Sequence, residues 1–399
     1  MSRNLYLILG GIFLFTTFQT MILFLTPLVA AQYGTRAALI GLLVAIPNLI
    51  GLLADVPFAI LSNHYGRRRS MIVGSGFALV ATVLLLVSQS YLGWLLALIV
   101  FGFATSLFFG QALAHISESA HPQHHARVQG YNGAIQGIGS FVGALLAGFL
   151  ANFNMQLAFG TTILFAVVIL ALMWQLHERF TLASSVVAWR PVLRGYRDAA
   201  ELLRKRSTIQ MAVLVVAIQC IVFWVVGGTF FPLYMTTQLG YNVTLAGIIV
   251  GVRNLLTVAA SPLFGWTTAR FGLLRPVLLT HLVAALTLFF IPLNSNEYYL
   301  LLLLSIQGLG LGFTAAGANM LVTAGTIPGQ RALGFASIGL IGRSTTLVLP
   351  PLLGLMAEAR GLSLVFIAGG ILATFCAGVL AIMVTRQYAK LDLIAQPDG

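Results

Sequence analysis

The chain has 399 residues, of which 59% are hydrophobic and 8% charged, with a formal net charge of +12 and a mean hydropathy of +0.97. A water-soluble domain carries about 25% charged residues, so this composition excludes a protein that faces water on every side. The positive charge does not point to nucleic acid either, because the basic residues sit mostly between apolar runs.

Apolar stretches such as 5–31, 37–62, 71–88 and 300–322 are each long enough to cross a ~30 Å hydrocarbon core at ~1.5 Å per residue. None alternates as a barrel strand would. Arg3 is followed by an apolar run too long for a cleaved signal, so that run is kept as the first helix. The pattern predicts an all-α membrane protein with twelve transmembrane helices, near 5–32, 37–62, 70–89, 92–117, 128–151, 155–176, 207–237, 242–267, 276–293, 298–322, 333–357 and 362–385. The links are short except for 177–206. A six-helix bundle is therefore expected over 1–176, a cytoplasmic central loop over 177–206, and a second bundle with a short cytoplasmic tail over 207–399. Cys220 and Cys376 lie inside apolar runs and read as packing residues. No metal site and no cofactor is expected.

Lys and Arg set the orientation. One set of loops carries Arg67, Arg68, Arg69, Arg127, Arg204, Lys205, Arg206, Arg270, Arg275 and Arg331, among others, and Arg3, Arg386 and Lys390 sit near the termini. The opposite set carries only Arg36 and Arg360. Both termini are therefore expected in the cytoplasm, in a multi-pass protein of the inner (plasma) membrane. The segment 189–206 mixes Arg with Trp, Leu, Val and Tyr, and reads equally as an amphipathic surface helix or as a solvated linker.

The two halves repeat. Helix one ends in Pro27-Leu-Val-Ala-Ala-Gln-Tyr-Gly34 and helix seven in Pro232-Leu-Tyr-Met-Thr-Thr-Gln-Leu-Gly240. Gly41, Asn48 and Gly66 correspond in register to Gly247, Asn254 and Gly272, and Arg127 to Arg331. Parallel repeats of this kind place a substrate site near the bilayer midplane between the halves.

These residues resemble the major facilitator superfamily over essentially the whole chain. The family's loop between helices two and three has the form Gly-x-x-x-Asp-Arg-x-Gly-Arg-Arg. Here it reads Ala59 to Arg68, with Asn63 and His64 in place of Asp and Arg and with Gly66, Arg67 and Arg68 intact. The resemblance implies a gating loop at Asn63, Gly66, Arg67 and Arg68, with a weaker latch because Asn63 has no charge. The exporter branch carries spaced glycines on helix five. Gly130, Gly139, Gly143 and Gly148 keep that spacing, with Ala144 and Ala147 replacing Pro and Gly. This favours export; the other reading is generic small-residue packing. The intramembrane Arg that many of the family's proton-linked antiporters carry on helix four is missing near 98–102.

Three ionised side chains lie well inside the spans, Asp55, Arg253 and Arg343. A charge buried in the membrane is costly and should face a cavity or a partner. Arg253 and Arg343 are candidates for binding an anionic substrate, since each guanidinium can grip a carboxylate with two hydrogen bonds. The other reading pairs Asp55 with Arg343 between helices two and eleven. Asn254, Gln19, Gln136, Trp224, Gln307 and Asn319 are polar groups that could complete the site, while His281 reads as structural. Asp55, the only acidic residue well inside a span, is the candidate for proton coupling. Low dielectric disfavours its ionised form and a neighbouring Arg favours it.

The leading expectation is a secondary active transporter exporting small amphipathic or anionic compounds, such as drugs, siderophores or metabolites, by alternating access coupled to protons. The alternative is an importer or facilitator of an organic anion or siderophore. The expected partners are the small-molecule substrate, protons and the lipid bilayer, with a monomer as the working unit and no nucleic acid. An enzyme is not expected, because no catalytic grouping lies within the spans. His121, His124 and His125 read as a solvated loop, and a phosphate-binding Gly-x-x-x-x-Gly-Lys-Ser/Thr segment is missing.

Overall fold

The computed structural model describes residues 3–119, 125–177, 200–326 and 331–395. Most of the 177–206 loop, including Ser184, lies outside the described residues, as do His121 and His124. Residues 200–205 are helical, with Lys205 Nζ donating to Glu201 Oε1 at 2.5 Å.

Among the described residues, twelve helices are long and apolar enough to cross a membrane. The first half holds α1 (Arg3–Gln32), α2 (Ala37–Tyr65), α3 (Arg67–Val87), α4 (Tyr91–Ser119), α5 (His125–Phe153) and α6 (Met155–Trp174). The second half holds α7 (Ser207–Gln238), α8 (Val243–Ala260), α9 (Leu274–Leu293), α10 (Glu297–Gly325), α11 (Arg331–Arg360) and α12 (Leu362–Ala395). Because the number of spans is even, α1 starts and α12 ends on one face, called here the terminal face; the other is the distal face.

The repeat read from the sequence corresponds to a shared backbone geometry. Gly34 and Gly240 end α1 and α7 with φ of 72° and 73°. Gly66 turns the chain from α2 into α3 at φ 97°, its N–H donating to Ser62 O at 2.8 Å. Gly272 does the same before α9 at φ 76°, donating to Thr268 O at 2.9 Å. A side chain at positive φ is strained, so these turns require glycine.

The second half is less regular than its apolar pattern predicts. In α7, π-helical turns occupy Phe223–Gly228 and Tyr234–Gln238, around a break at Thr229 (φ −145°, ψ −60°). Pro232 has no N–H to give the Gly228 carbonyl, and Gly227-Gly228 does not stiffen the turn before it. Pro262 ends α8, and the helix resumes as Leu263–Phe271. Within α10 the helix pauses at Gly312 and Phe313, pinned by Ser261 Oγ donating to Gly312 O at 3.1 Å.

The halves meet where α2 packs on α11 and α5 on α8. Both seams are tight because they lack side chains. A Cβ on Gly41 would collide with the Pro350 carbonyl, and one on Gly354 with that of Ala37. A Cβ on Gly148 would stand 2.9 Å from Gly247 Cα. On the distal face Arg36 Nη1 meets Glu358 Oε1 at 3.7 Å, and the short helix Phe230–Leu233 of α7 touches α1. The named contacts between halves therefore run from mid-depth to the distal face.

Candidate functional site

Arg253 reaches mid-depth because Asn242 starts α8, accepting the Leu245 N–H at 2.8 Å. Ten residues on, the guanidinium is ~15 Å into the membrane. Asn296 starts α10 on the same face, accepting from the Tyr298 and Tyr299 N–H groups, and so brings Gln307 to the same level. Here α8 and α10 nearly touch, since a Cβ on Gly308 would collide with the Arg253 carbonyl.

Arg253 is 3% exposed. Its Nε donates to Gln307 Oε1 at 2.8 Å and its Nη1 to Asn254 Oδ1 at 3.1 Å. Gln307 Nε2 donates to Thr287 Oγ1 at 2.9 Å, and that hydroxyl donates to Ala284 O at 2.7 Å. The chain of donors runs one way, away from the guanidinium, so each bond polarises the next. Every partner is neutral. Among the described residues no carboxylate pairs with Arg253, and its Nη2 has no hydrogen-bond partner. Gly227 of α7 closes the space beside it, where a Cβ would stand 2.9 Å from Nη1.

Arg343 is placed differently. Its Nη2 pairs with Asp55 Oδ2 across the α2–α11 seam, each side chain about a third exposed. The guanidinium lies over Gly51, one turn from Asp55, where a Cβ would overlap it. Of the two arginines read as candidate anion sites in the sequence, only Arg253 lacks an acidic partner among the described residues.

The remaining candidates divide. Asn254 and Gln307 belong to the Arg253 network. Trp224 is buried in the first π turn of α7, and its indole N–H has no partner among the described residues. Gln136 donates to Asn132 Oδ1 at 3.0 Å within α5. Gln19 is half-buried and Asn319 exposed, and neither side chain is hydrogen-bonded among the described residues. His281 is fully buried between Val277 O (2.7 Å) and Thr314 Oγ1 (2.9 Å), holding α9 to α10.

On the terminal face Arg68 Nη2 donates to Trp174 O at 2.6 Å, tying α3 to α6. Arg67 begins α3, and the Asn63 side chain lies outside the described residues. The α5 glycines serve two seams. A Cβ on Gly139 would stand 2.8 Å from Phe13 O and one on Gly143 2.5 Å from Thr17 O, both on α1, whereas Gly148 meets α8. Gly130 is in α5, but its surroundings lie outside the described residues. Sequence reasoning missed Thr287, Gly51, Gly227 and Gly308; only the pairing of helices gives these residues a role.

Family comparison matches the description Major Facilitator Superfamily to residues 7–231 and 212–396. Among solved structures, a point variant of the nucleoside transporter NupG superposes with a TM-score of 0.78 at 11% identity, covering 96% of this chain and 100% of that one. A bacterial homolog of the human lysosomal transporter Spinster, inward-facing and occupied, superposes at 0.76 with 14% identity, over 96% of this chain and 98% of that one. Its unoccupied inward-facing form gives 0.75 with 16% identity, over 98% and 99%.

Proposed function

We propose a substrate class and a direction for a chain that belongs to the Major Facilitator Superfamily and is accordingly a secondary transporter of small molecules in the membrane. It exports small amphipathic or anionic compounds by alternating access, coupled to protons, with both termini in the cytoplasm. The observation that carries the reading is Arg253, a buried guanidinium at mid-depth whose partners are all neutral. A buried cation is stabilised most by a desolvated anion. A carboxylate, phosphate or catecholate arriving between the halves would supply one, and the buried Trp224 indole N–H of α7, unpartnered among the described residues, is the second donor proposed for it.

Asp55 and Arg343 fit the coupling role. The pair spans the two moving halves, and each side chain is about a third exposed. Protonating Asp55 removes the attraction that holds α2 to α11 at mid-depth and favours the alternate arrangement. The glycine spacing of α5 supports export over import.

The test is ligand stabilisation of the purified protein across anionic, cationic and neutral compounds. A ligand at 100 times its Kd raises stability by about 2.7 kcal/mol. Anions are expected to stabilise the wild type, and Arg253→Gln to lose most of that gain. Stabilisation by cations alone, or an undiminished gain in Arg253→Gln, would overturn the anion reading. Flux in liposomes of known orientation then reports direction, and uphill movement toward the terminal face identifies an importer.

A further inference from the structure

The lipid-facing side of α1 carries a groove that the transport site does not use. Arg3, Tyr6, Gly10 and Phe13 recur at helical spacing and share one face of α1. On one flank Leu172 of α6 joins Arg3, Tyr6, Leu7 and Gly10 around a cavity of about 460 Å³. On the other, Tyr131, Ile135 and Ile138 of α5 join Tyr6, Gly10 and Phe13 around about 490 Å³. The two spaces share Tyr6 and Gly10, and nothing lies within 4 Å of where a Cβ on Gly10 would stand.

The groove opens to lipid, not to the space between the halves. Tyr131, Ile138, Phe149 and Phe153 form one exposed stripe along α5. Its faces toward α1 and α8 are the separate glycine seams at Gly139 and Gly148. Polar Gln136 and Ser140 lie on the far side of the helix from the stripe.

The walls are apolar and the mouth is cationic. Arg3 is exposed in the first turn of α1, and no carboxylate pairs with it among the described residues. Asn4 Nδ2 donates to His177 O at 2.6 Å, which brings the end of α6, with its exposed Trp174, alongside. Gly10 lies ~10 Å and Phe13 ~15 Å deeper than Arg3. A cation and aromatic rings at headgroup level, above an apolar trough, fit one occupant in both charge and length. We propose that this groove binds an anionic phospholipid, its phosphate at Arg3 and one acyl chain over Gly10.

Native mass spectrometry of the full-length protein, titrated with phosphatidylglycerol or phosphatidylcholine of matched chains, tests this. The wild type is expected to retain phosphatidylglycerol about fivefold more tightly, the effect of one basic group beside an anionic headgroup. Arg3→Gln should equalise the two lipids. Gly10→Leu, whose Cβ would meet nothing within 4 Å and which should leave the melting temperature unchanged, should weaken retention of both by filling the trough. Equal retention of the two lipids by the wild type would overturn the proposal. So would phosphatidylglycerol retention unchanged in both variants.

Discussion

Asp55 on α2 and Arg343 on α11 form an ion pair between the two halves, and the guanidinium occupies space that Gly51, one turn before Asp55, leaves open. A second glycine on α2, Gly41, opens space for backbone, the Pro350 carbonyl. The two glycines should therefore respond differently to the same methyl group. Gly51→Ala only displaces the end of a flexible side chain, and helix propensity favours the change by roughly 0.5–1 kcal/mol. It should leave thermal stability near the wild type and impair transport. Gly41→Ala must push α2 and α11 apart and should cost about 1–3 kcal/mol. Equal melting temperatures for the two variants would contradict this geometry.

If Asp55 carries the coupled proton, Asp55→Asn should abolish uphill transport driven by a pH gradient while counterflow exchange and substrate binding persist. If the pair is only a strut, all transport modes should fall together. Liposome flux measured with and without the gradient separates the two outcomes. Full pH-driven accumulation by Asp55→Asn would rule this residue out as the coupling site.

Gln307 should discriminate between structural and substrate-binding roles for Arg253. Gln307→Leu removes the acceptor of the 2.8 Å bond from Nε and should cost about 1–3 kcal/mol of stability. Gln307→Glu places a carboxylate there instead. Stability should be kept or raised, while affinity for an anion falls tenfold or more because the guanidinium is already neutralised. Anion affinity unchanged in Gln307→Glu would place the binding site elsewhere.

Single cysteines at Ser184 and Ser295, in a chain without Cys220 and Cys376, should label from opposite sides of the membrane. Ser295 lies in the distal link between α9 and α10. Ser184 belongs to the Arg-rich link, which is cytoplasmic in the orientation proposed from the charge asymmetry. Labelling of Ser184 from outside intact cells would reverse the orientation.

The sequence by itself determined the architecture. Spans are set by apolar length, and the repeat by glycines that the backbone needs at positive φ, so Gly34, Gly66, Gly240 and Gly272 were legible as corresponding pairs. The depth of Arg253 and of Arg343 also follows from counting residues along a helix. What the sequence left open was their partners. Pairing between Asp55 and Arg343 was one of two readings until α2 and α11 were brought together, because a contact between residues so far apart depends on how helices are rotated and paired. The neutral cage of Arg253 was decided at the same level. Asn254 and Gln307 could be named as polar groups within spans, but Thr287 could not. The breaks in α7, α8 and α10 have local causes in Gly and Pro residues. Yet α1 runs unbroken through Pro27, so the packing around a helix decides whether such a residue interrupts it.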